Sequence, residues 1–173
     1  VCVGEGEEAI QAIVDAINLQ RDLSSIPNLM VKLDGKILHS RREEPMNIDE
    51  VPLPAWDLFD MDQYTAVSYL VPVTTRSITM ITGRGCPYNC SFCYRNFGRR
   101  LRHRRIDSIV EEMHEVVDRY GIGHIDFLDE IFNVDRDYVI ALCKRMIAER
   151  FRFTWRCTGR ADLVDRELLQ LMH

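Results

Sequence analysis

The sequence predicts an α/β fold in which short apolar strands alternate with amphipathic helices. Three strand-like stretches, SITMIT, HIDFL and FTWRCT, stand in the second half of the chain, with helical patterns between and after them. Strands joined through helices pair in parallel by right-handed crossovers, so this alternation predicts a parallel sheet covered by helices. Reactive groups in such sheets lie at the carboxyl ends of the strands.

The chain starts with a strand-turn-helix unit. VCV is a short apolar strand and GEGEE a glycine turn, and apolar residues then recur at helical spacing at Ile10, Ile13, Val14 and Ile17. One strand and one helix make no core, so we expect this chain to be a piece of a longer protein.

The pattern breaks down from residue 22 to residue 74, where we expect a linker. KLDGKIL predicts a hairpin with Asp34 and Gly35 in its turn, and EEPMNIDEVPLPAWDL is a proline-punctuated connector. We therefore expect three segments: 1–21, the linker 22–74, and a second domain from 75 to 173.

The second domain contains two clear helical stripes. The first comprises Ile106, Ile109, Val110, Met113, Val116, Val117 and Tyr120. Ser108 and Glu111 have the spacing of a capping box at its start, and Gly121 suits its end. After HIDFLDEIF, a strand that ends in acids, the second stripe comprises Val139, Leu142, Cys143, Met146 and Ile147. VDRELLQLM predicts a further helix.

Composition excludes several classes of protein. The 173 residues are 46% hydrophobic with a net charge of -5, which argues against a general nucleic-acid or anionic-membrane binder. Apolar runs fall short of the ~20 residues of a membrane span, and no signal peptide is evident, so we expect a cytoplasmic protein. In a reducing compartment the six cysteines are thiols or metal ligands, and Cys2, Cys143 and Cys157, on apolar faces, are expected in the core.

Three cysteines, Cys86, Cys90 and Cys93, lie in one loop between a strand and a helix. Three thiolates can hold a cubane of four irons by three corners and leave the fourth iron open to a ligand that is not protein. Gly83 and Gly85 would let the backbone approach such a cluster. The alternative is a structural zinc site with His103 as the fourth ligand.

CPYNCSFC resembles the Cys-x-x-x-Cys-x-x-Cys motif of the radical S-adenosylmethionine (radical SAM) superfamily, with aromatic Phe92 before the last cysteine. The wider layout, VGEGE, LPAWDL, RGCPYNCSFC, FLDEIF and WRCTGR, resembles the subgroup that carries a cobalamin-binding domain. The resemblance implies that 1–21 ends a Rossmann-like cobalamin-binding domain. It also implies that 75–173 is the first half of a partial (β/α)6 TIM-like barrel.

The resemblance also implies roles for individual residues. The three loop cysteines would ligate a 4Fe-4S cluster, and Phe92 would line the adenine of S-adenosylmethionine. Asp129 or Glu130 would meet the methionine amine, the alternative being capping and hydration at a strand end. Arg160 would clamp the carboxylate, the alternative being a salt bridge to Asp162 or Asp129.

Gly4, Glu5 and Gly6 resemble the glycine loop that passes the nucleotide tail of cobalamin; without the resemblance they are a structural turn. The family's cobalt-ligating Asp-x-His-x-x-Gly motif is absent from the sequence.

Arginines follow the cysteines at Arg95, Arg99, Arg100, Arg102, Arg104 and Arg105. Such a run is usually a solvated face, and the alternative is a site for an anionic substrate or for a flavodoxin or ferredoxin-type electron donor.

The expected function is therefore that of a radical SAM enzyme acting on a small-molecule or natural-product substrate. Cobalamin-dependent methyl transfer to an unactivated carbon is the leading expectation, with ring formation or rearrangement as the alternative. A non-enzymatic zinc or iron-sulfur binding module is the alternative from another class.

Overall fold

The structure is a computed structural model that describes residues 1–65, 75–94 and 97–173. The chain divides into two compact units, Val1–Val51 and Pro52–His173. This division falls within the stretch 22–74 that the sequence predicts as a linker. The predicted hairpin belongs to the first unit, whereas Trp56 and Met61 belong to the core of the second.

The first unit contains helix α1 (Glu7–Asn18) and a hairpin of strands β1 (Met30–Leu33) and β2 (Lys36–His39). The predicted hairpin is confirmed: β1 and β2 pair antiparallel, and Asp34 and Gly35 take positive φ angles of 48° and 79° in the turn. The predicted strand VCV is wrong, because it is reduced to one antiparallel bridge between Cys2 and Leu29. Gly4 follows at once with φ of 97° and ends the extended backbone.

Helix α1 forms where its spacing predicts it, but most of its apolar stripe is not buried. Ala9 and Ala16 pack with Ile26 and Leu29 in a small core. The larger Ile10, Val14 and Ile17 are 60%, 48% and 63% exposed. The helical pattern therefore identified the helix but not the face that this unit buries.

The second unit is built on a parallel sheet of three strands, β3 (Ser77–Met80), β6 (His124–Phe127) and β7 (Thr154–Cys157), with β6 in the centre. Ser77 is in register with His124, and His124 with Thr154. Helices α3 (Ile106–His114), α4 (Arg136–Ala148) and α5 (Arg166–Met172) belong to the same unit, as do a short helix α2 (Met61–Tyr64) and two minor strands, β4 (Gly83–Arg84) and β5 (Arg102–His103). The expected α/β alternation is confirmed for these elements.

The two faces of this sheet differ in chemistry. One face carries Ile78, Met80, Ile125 and Phe127, which form the core with apolar residues of α3 and α4. Since strand side chains alternate between faces, the opposite face is polar. It carries Ser77, Thr79, His124, Asp126, Thr154 and Arg156. Ion pairing and hydrogen bonding cross the strands there, as from Arg156 Nε to Asp126 Oδ1 at 3.3 Å.

The helix predicted from the stripe after the cysteines is confirmed. Ile109, Val110, Met113 and Val116 are all buried, and Gly121 ends the segment with φ of 67°. The backbone widens into a π-helix at Glu115–Arg119.

The predicted capping box is wrong. Helix α3 begins at Ile106 with Arg105 as its N-cap residue, which places Ser108 and Glu111 inside the helix. The Ser108 hydroxyl instead accepts a hydrogen bond from Arg104 Nη2 at 3.3 Å. The apolar face of α4 is confirmed for Val139, Leu142, Cys143 and Met146, whereas Ile147 is exposed.

The helices within the described ranges do not combine the length and apolar content that crossing a membrane requires.

Candidate functional site

The cysteine loop leaves and rejoins the second unit through a short antiparallel ladder. Strands β4 and β5 pair Gly83 with His103, and the Cys86 amide donates to the Gly98 carbonyl at 3.0 Å. Gly85 has φ of 93°, and a Cβ at this position would lie 2.1 Å from the Arg100 carbonyl oxygen. Any side chain at Gly85 would therefore force apart the two limbs of the loop, namely the entering limb that contains β4 and the leaving limb that contains β5.

The donor set suits a thiolate-bound cluster. Cys86 and Cys90 are half-buried, Cys93 is exposed, and all three thiols are free of disulfides. Within residues 1–65, 75–94 and 97–173, no group of three or more His, Cys, Asp or Glu side chains is gathered as a metal site. The chemistry nevertheless fits an iron-sulfur cluster, because three free thiols share one loop whose two limbs are joined by backbone hydrogen bonds.

The structure does not favour the zinc alternative that used His103. The His103 ring stacks on Tyr138 with centroids 3.9 Å apart, and its Nε2 lies 3.6 Å from Asp135 Oδ2. Burial lowers the pKa of His103, although the Asp135 charge opposes that shift. This histidine is thus engaged on the side of helix α4.

Asp129 holds the strand end from which the loop departs. It is 5% exposed, and its Oδ1 accepts from the Thr82 amide at 2.7 Å and the Gly83 amide at 3.3 Å, while Oδ2 accepts from the Thr82 hydroxyl. Burial raises the pKa of Asp129, and the hydrogen bonds from Thr82 and Gly83 oppose that rise. Both carboxylate oxygens are therefore occupied in organising the backbone.

Glu130, the next residue, faces the far limb of the loop. Its Oε1 accepts a hydrogen bond from the Phe97 amide at 3.2 Å. The two acids that the sequence could not tell apart thus act on different parts of the loop. Phe92, the residue expected at the adenine, is 90% exposed.

Arg160 lies where β7 ends and contacts the loop through Tyr88. Its guanidinium carbon sits 4.1 Å from the Tyr88 ring centroid, while Nε and Nη2 donate to the two carboxylate oxygens of Asp162 at 2.9 and 2.6 Å. Asp162, through its hydrogen bonds and charge, raises the pKa of Arg160. Of the two salt bridges considered from the sequence, the one to Asp162 forms.

Asn133 is a residue that the sequence did not single out. Its Nδ2 donates to the Arg160 carbonyl at 2.9 Å, and its Oδ1 accepts from the Arg160 amide at 2.8 Å. A Cβ at Gly159 would lie 2.7 Å from that same Oδ1. Asn133 therefore fixes the backbone at Arg160. Its position four residues after Asp129, just past a predicted strand, is the feature of the sequence that could have identified it.

Gly4, Glu5 and Gly6 belong to the first unit, before helix α1. Gly6 is the N-cap residue of α1, and a Cβ added at Gly4 or Gly6 would meet no atom within 4 Å. The backbone beside these glycines is open.

The arginine run divides into outward and inward members. Arg99 is exposed and donates to Asn89 Oδ1 at 2.6 Å, and Arg100 and Arg105 are also exposed. Arg104 turns inward to Glu112, so the run is not a uniformly solvated face. Arg95 lies outside the described residues.

Comparison with known proteins places this loop in a family. The model of the Radical SAM superfamily matches residues 80–173. The chain is 34% identical over 175 residues to an uncharacterized methyltransferase of Pyrococcus horikoshii, covering 98% of this chain and 36% of that protein. It is 27% identical over 175 residues to the anaerobic magnesium-protoporphyrin IX monomethyl ester cyclase of Rubrivivax gelatinosus, covering 97% and 31%.

A solved structure shares the fold. The radical S-adenosylmethionine methyltransferase TsrM of Kitasatospora setae, with cobalamin and a 4Fe-4S cluster bound, superposes with a TM-score of 0.76 at 20% identity, covering 99% of this chain and 35% of that one. The chain spans about a third of the length of these relatives.

The family model covers more than half of the chain and includes all three loop cysteines. It favours an enzyme over the non-enzymatic binding module, and it confirms the expectation of a 4Fe-4S cluster and S-adenosylmethionine as cofactors. The chain belongs to the radical SAM superfamily.

Proposed function

We propose that this chain is part of a cobalamin-dependent radical SAM methyltransferase that acts on an unactivated carbon of a small molecule. The observation that carries the proposal is the loop of Cys86, Cys90 and Cys93 at the carboxyl ends of a parallel sheet. In this proposal residues 75–173 form the first half of a partial (β/α)6 barrel. Residues 1–21 end a Rossmann-like cobalamin-binding domain, and 22–74 link the two.

The three loop cysteines would hold the 4Fe-4S cluster and leave one iron for S-adenosylmethionine. When bound, such a cluster would supply the single electron needed for reductive cleavage of S-adenosylmethionine to methionine and a 5'-deoxyadenosyl radical. The free position resembles that of a catalytic zinc site, where an open coordination site admits the reactant.

We assign the methionine amine to Glu130 rather than to Asp129. Asp129 is buried with both carboxylate oxygens occupied by Thr82 and Gly83. Glu130 lies against the far limb of the loop, where its Oε1 accepts from the Phe97 amide. A carboxylate that accepts from an ammonium makes a charge-assisted hydrogen bond, about twice as strong as a neutral one.

Arg160 would bind the methionine carboxylate beside the loop. Its guanidinium lies over Tyr88, between Cys86 and Cys90 in the chain, and Asn133 fixes its backbone. The ion pair with Asp162 orients the Arg160 guanidinium group, which has five N–H donors in all. Phe92 would cover the adenine, and so would move from its exposed position when the cofactor binds.

Cobalamin would supply the methyl group, with its nucleotide tail passing Gly4, Glu5 and Gly6. The open space beside Gly4 and Gly6 supports this role. The similarity to a methyltransferase of Pyrococcus horikoshii and to the methyltransferase TsrM supports methyl transfer. Ring formation is the second candidate, favoured by the relative named as a cyclase. An acidic flavodoxin or ferredoxin would deliver the electron in the cytoplasm, and Arg99 and Arg100 are exposed to meet it.

The test uses the full-length protein, reconstituted anaerobically with iron and sulfide. We expect about four irons per chain, formation of 5'-deoxyadenosine from S-adenosylmethionine after reduction, and binding of cobalamin seen in the visible spectrum. Cys93→Ala should remove the cluster. Cys143→Ala is the matched control, because burial raises the pKa of that core thiol to about 11 and no role is assigned to it.

Equal loss of iron from both variants would contradict the ligand assignment. A single zinc in place of iron would contradict the radical mechanism. Normal iron content without any 5'-deoxyadenosine would mean that the cluster only carries electrons.

A further inference from the structure

Arg104 occupies a junction that the proposed function does not use. It follows β5 directly, at the end where the chain leaves the cysteine loop, and Ile81 lies where the chain approaches it. One Arg104 guanidinium nitrogen, Nη1, donates to the Ile81 carbonyl at 2.9 Å and to Glu112 Oε2 at 2.6 Å. A single side chain thus joins both ends of the loop to helix α3.

The backbone around Arg104 strengthens the same junction. The Arg104 amide donates to the Thr82 carbonyl at 2.9 Å. The Tyr138 hydroxyl lies 2.7 Å from the Arg104 carbonyl and 3.3 Å from the Thr82 carbonyl, both of which can accept from it. Contacts from α3, from α4 and from Asp129 therefore converge on the few residues at the base of the loop.

The ion pair at this junction is buried. The side chains of Arg104 and Glu112 are 13% and 2% exposed. Burial raises the pKa of Glu112, and the Arg104 charge opposes that rise. Buried pairs of this kind are often no more stable than well-packed apolar residues, so stability alone is a weak reason for their presence.

Resting on the proposed function, we propose that Arg104 is a positioning residue for the 4Fe-4S cluster, with Glu112 as its anchor on helix α3. Arg104 holds the two limbs of the cysteine loop at a fixed separation, so that the three thiolates converge on one cluster. Groups that orient metal ligands in this way typically affect metal retention by about 10- to 100-fold when they are removed.

The deciding experiment separates loop geometry from overall stability in the full-length, reconstituted protein. The double variant Arg104→Met, Glu112→Leu replaces the buried pair with apolar side chains and removes the guanidinium from Ile81. We expect it to melt near the wild-type temperature, yet to release iron to a strong chelator at least about tenfold faster. Glu111→Gln, on the exposed side of the same helix, is the matched control and should release iron at the wild-type rate.

A folded double variant that releases iron at the wild-type rate would overturn the proposal. If the double variant does not fold, Arg104→Lys decides. Lysine keeps the charge opposite Glu112 but lacks the planar fork, whose Nη1 donates to Ile81 and Glu112 while Nη2 donates to Ser108. Iron should again leave faster, and an unchanged rate would overturn the proposal.

Failure of the proposed function would look different. Wild-type protein that binds no four-iron cluster would end that proposal, while hydrogen exchange at the Cys86 amide still reports on the loop. In the double variant that amide, bonded to the Gly98 carbonyl, should exchange faster. Unchanged protection would overturn the positioning role.

Discussion

Helices α1 and α3 carry similar apolar stripes, but only the stripe of α3 is buried. In α3, Ile109, Val110 and Met113 are buried, whereas in α1, Ile10 and Ile17 are more than half exposed. Spacing at 3.6 residues therefore predicts that a helix forms and which side chains share a face. Whether that face is buried depends on the partner that the rest of the fold supplies.

The partner of each helix explains the difference. Helix α3 packs on a parallel sheet whose apolar face offers Ile78, Met80 and Ile125. The first unit offers a two-stranded hairpin, and every residue of its strand β2 is exposed. Such a hairpin has too little apolar surface to cover a long stripe, so the small alanines of α1 make the contact instead.

The largest expected effect is on the buried stripe. Met113→Ala should lower the free energy of unfolding by about 2–5 kcal/mol, because it leaves a cavity between α3 and the sheet. Denaturant unfolding followed by circular dichroism measures this loss. A loss below about 1 kcal/mol, the usual range for surface sites and conservative swaps, would mean that the α3 face is not tightly packed and would erase the contrast with α1.

A second test compares one residue type in the two units. Asp22 in the first unit is exposed, and hydrogen bonds from the Ser24 hydroxyl and amide lower its pKa from 3.8. Asp129 in the second unit also accepts hydrogen bonds, yet burial raises its pKa above 3.8. Carboxyl NMR titration should find the two on opposite sides of that value. Both values on the same side would show that burial does not distinguish the units.

These shifts have opposite consequences for stability. The contribution of Asp22 is present above pH 3.8 and is lost as the pH falls through its lowered pKa. The contribution of Asp129 is present below pH 3.8 and is lost as the pH rises through its raised pKa. Asp129→Asn should remove the second dependence, which unfolding curves collected across this acid range would reveal.

The smallest effect is expected on the exposed stripe. Ile10→Gln should change the unfolding free energy of the 173-residue chain by no more than about 0.5 kcal/mol, since the side chain is already largely in water. It should also reduce self-association, measured by light scattering, because it interrupts an exposed apolar row. A destabilisation comparable to that of Met113→Ala would show that the α1 stripe is buried and would break the comparison.

Local patterns predicted most elements of this fold. The stripes of α3 and α4 and the Asp34-Gly35 turn depend on neighbours within one or two turns of chain, and they are observed. VCV failed because Gly4 ends it after three residues. The capping box failed because the helix begins after Arg105, three residues before Ser108. The Ser108 hydroxyl accepts a hydrogen bond from Arg104 and does not cap the helix.

The site was less predictable for a physical reason. The three cysteines are visible in sequence because eight residues contain them all. The groups that hold their loop are distant: Thr82 meets Asp129 across 47 positions, and Asn133 meets Arg160 across 27. The function of Asp129 in organising backbone depends on where β6 ends relative to β3, which only the assembled sheet determines.

The contacts that anchor the two limbs of the cysteine loop span very different lengths of chain, so we expect them to form at different stages of folding. Arg104 finds Glu112 eight positions away, a contact available as soon as the first turns of α3 form. Thr82 must wait for Asp129, 47 positions away, and a longer loop costs more chain entropy to close. The limb that leaves the loop should therefore be anchored early, whereas the contacts of the entering limb with Asp129 should form only when β6 docks beside β3. We therefore expect completion of the parallel sheet to be the last step in ordering the base of the loop that carries the three thiols.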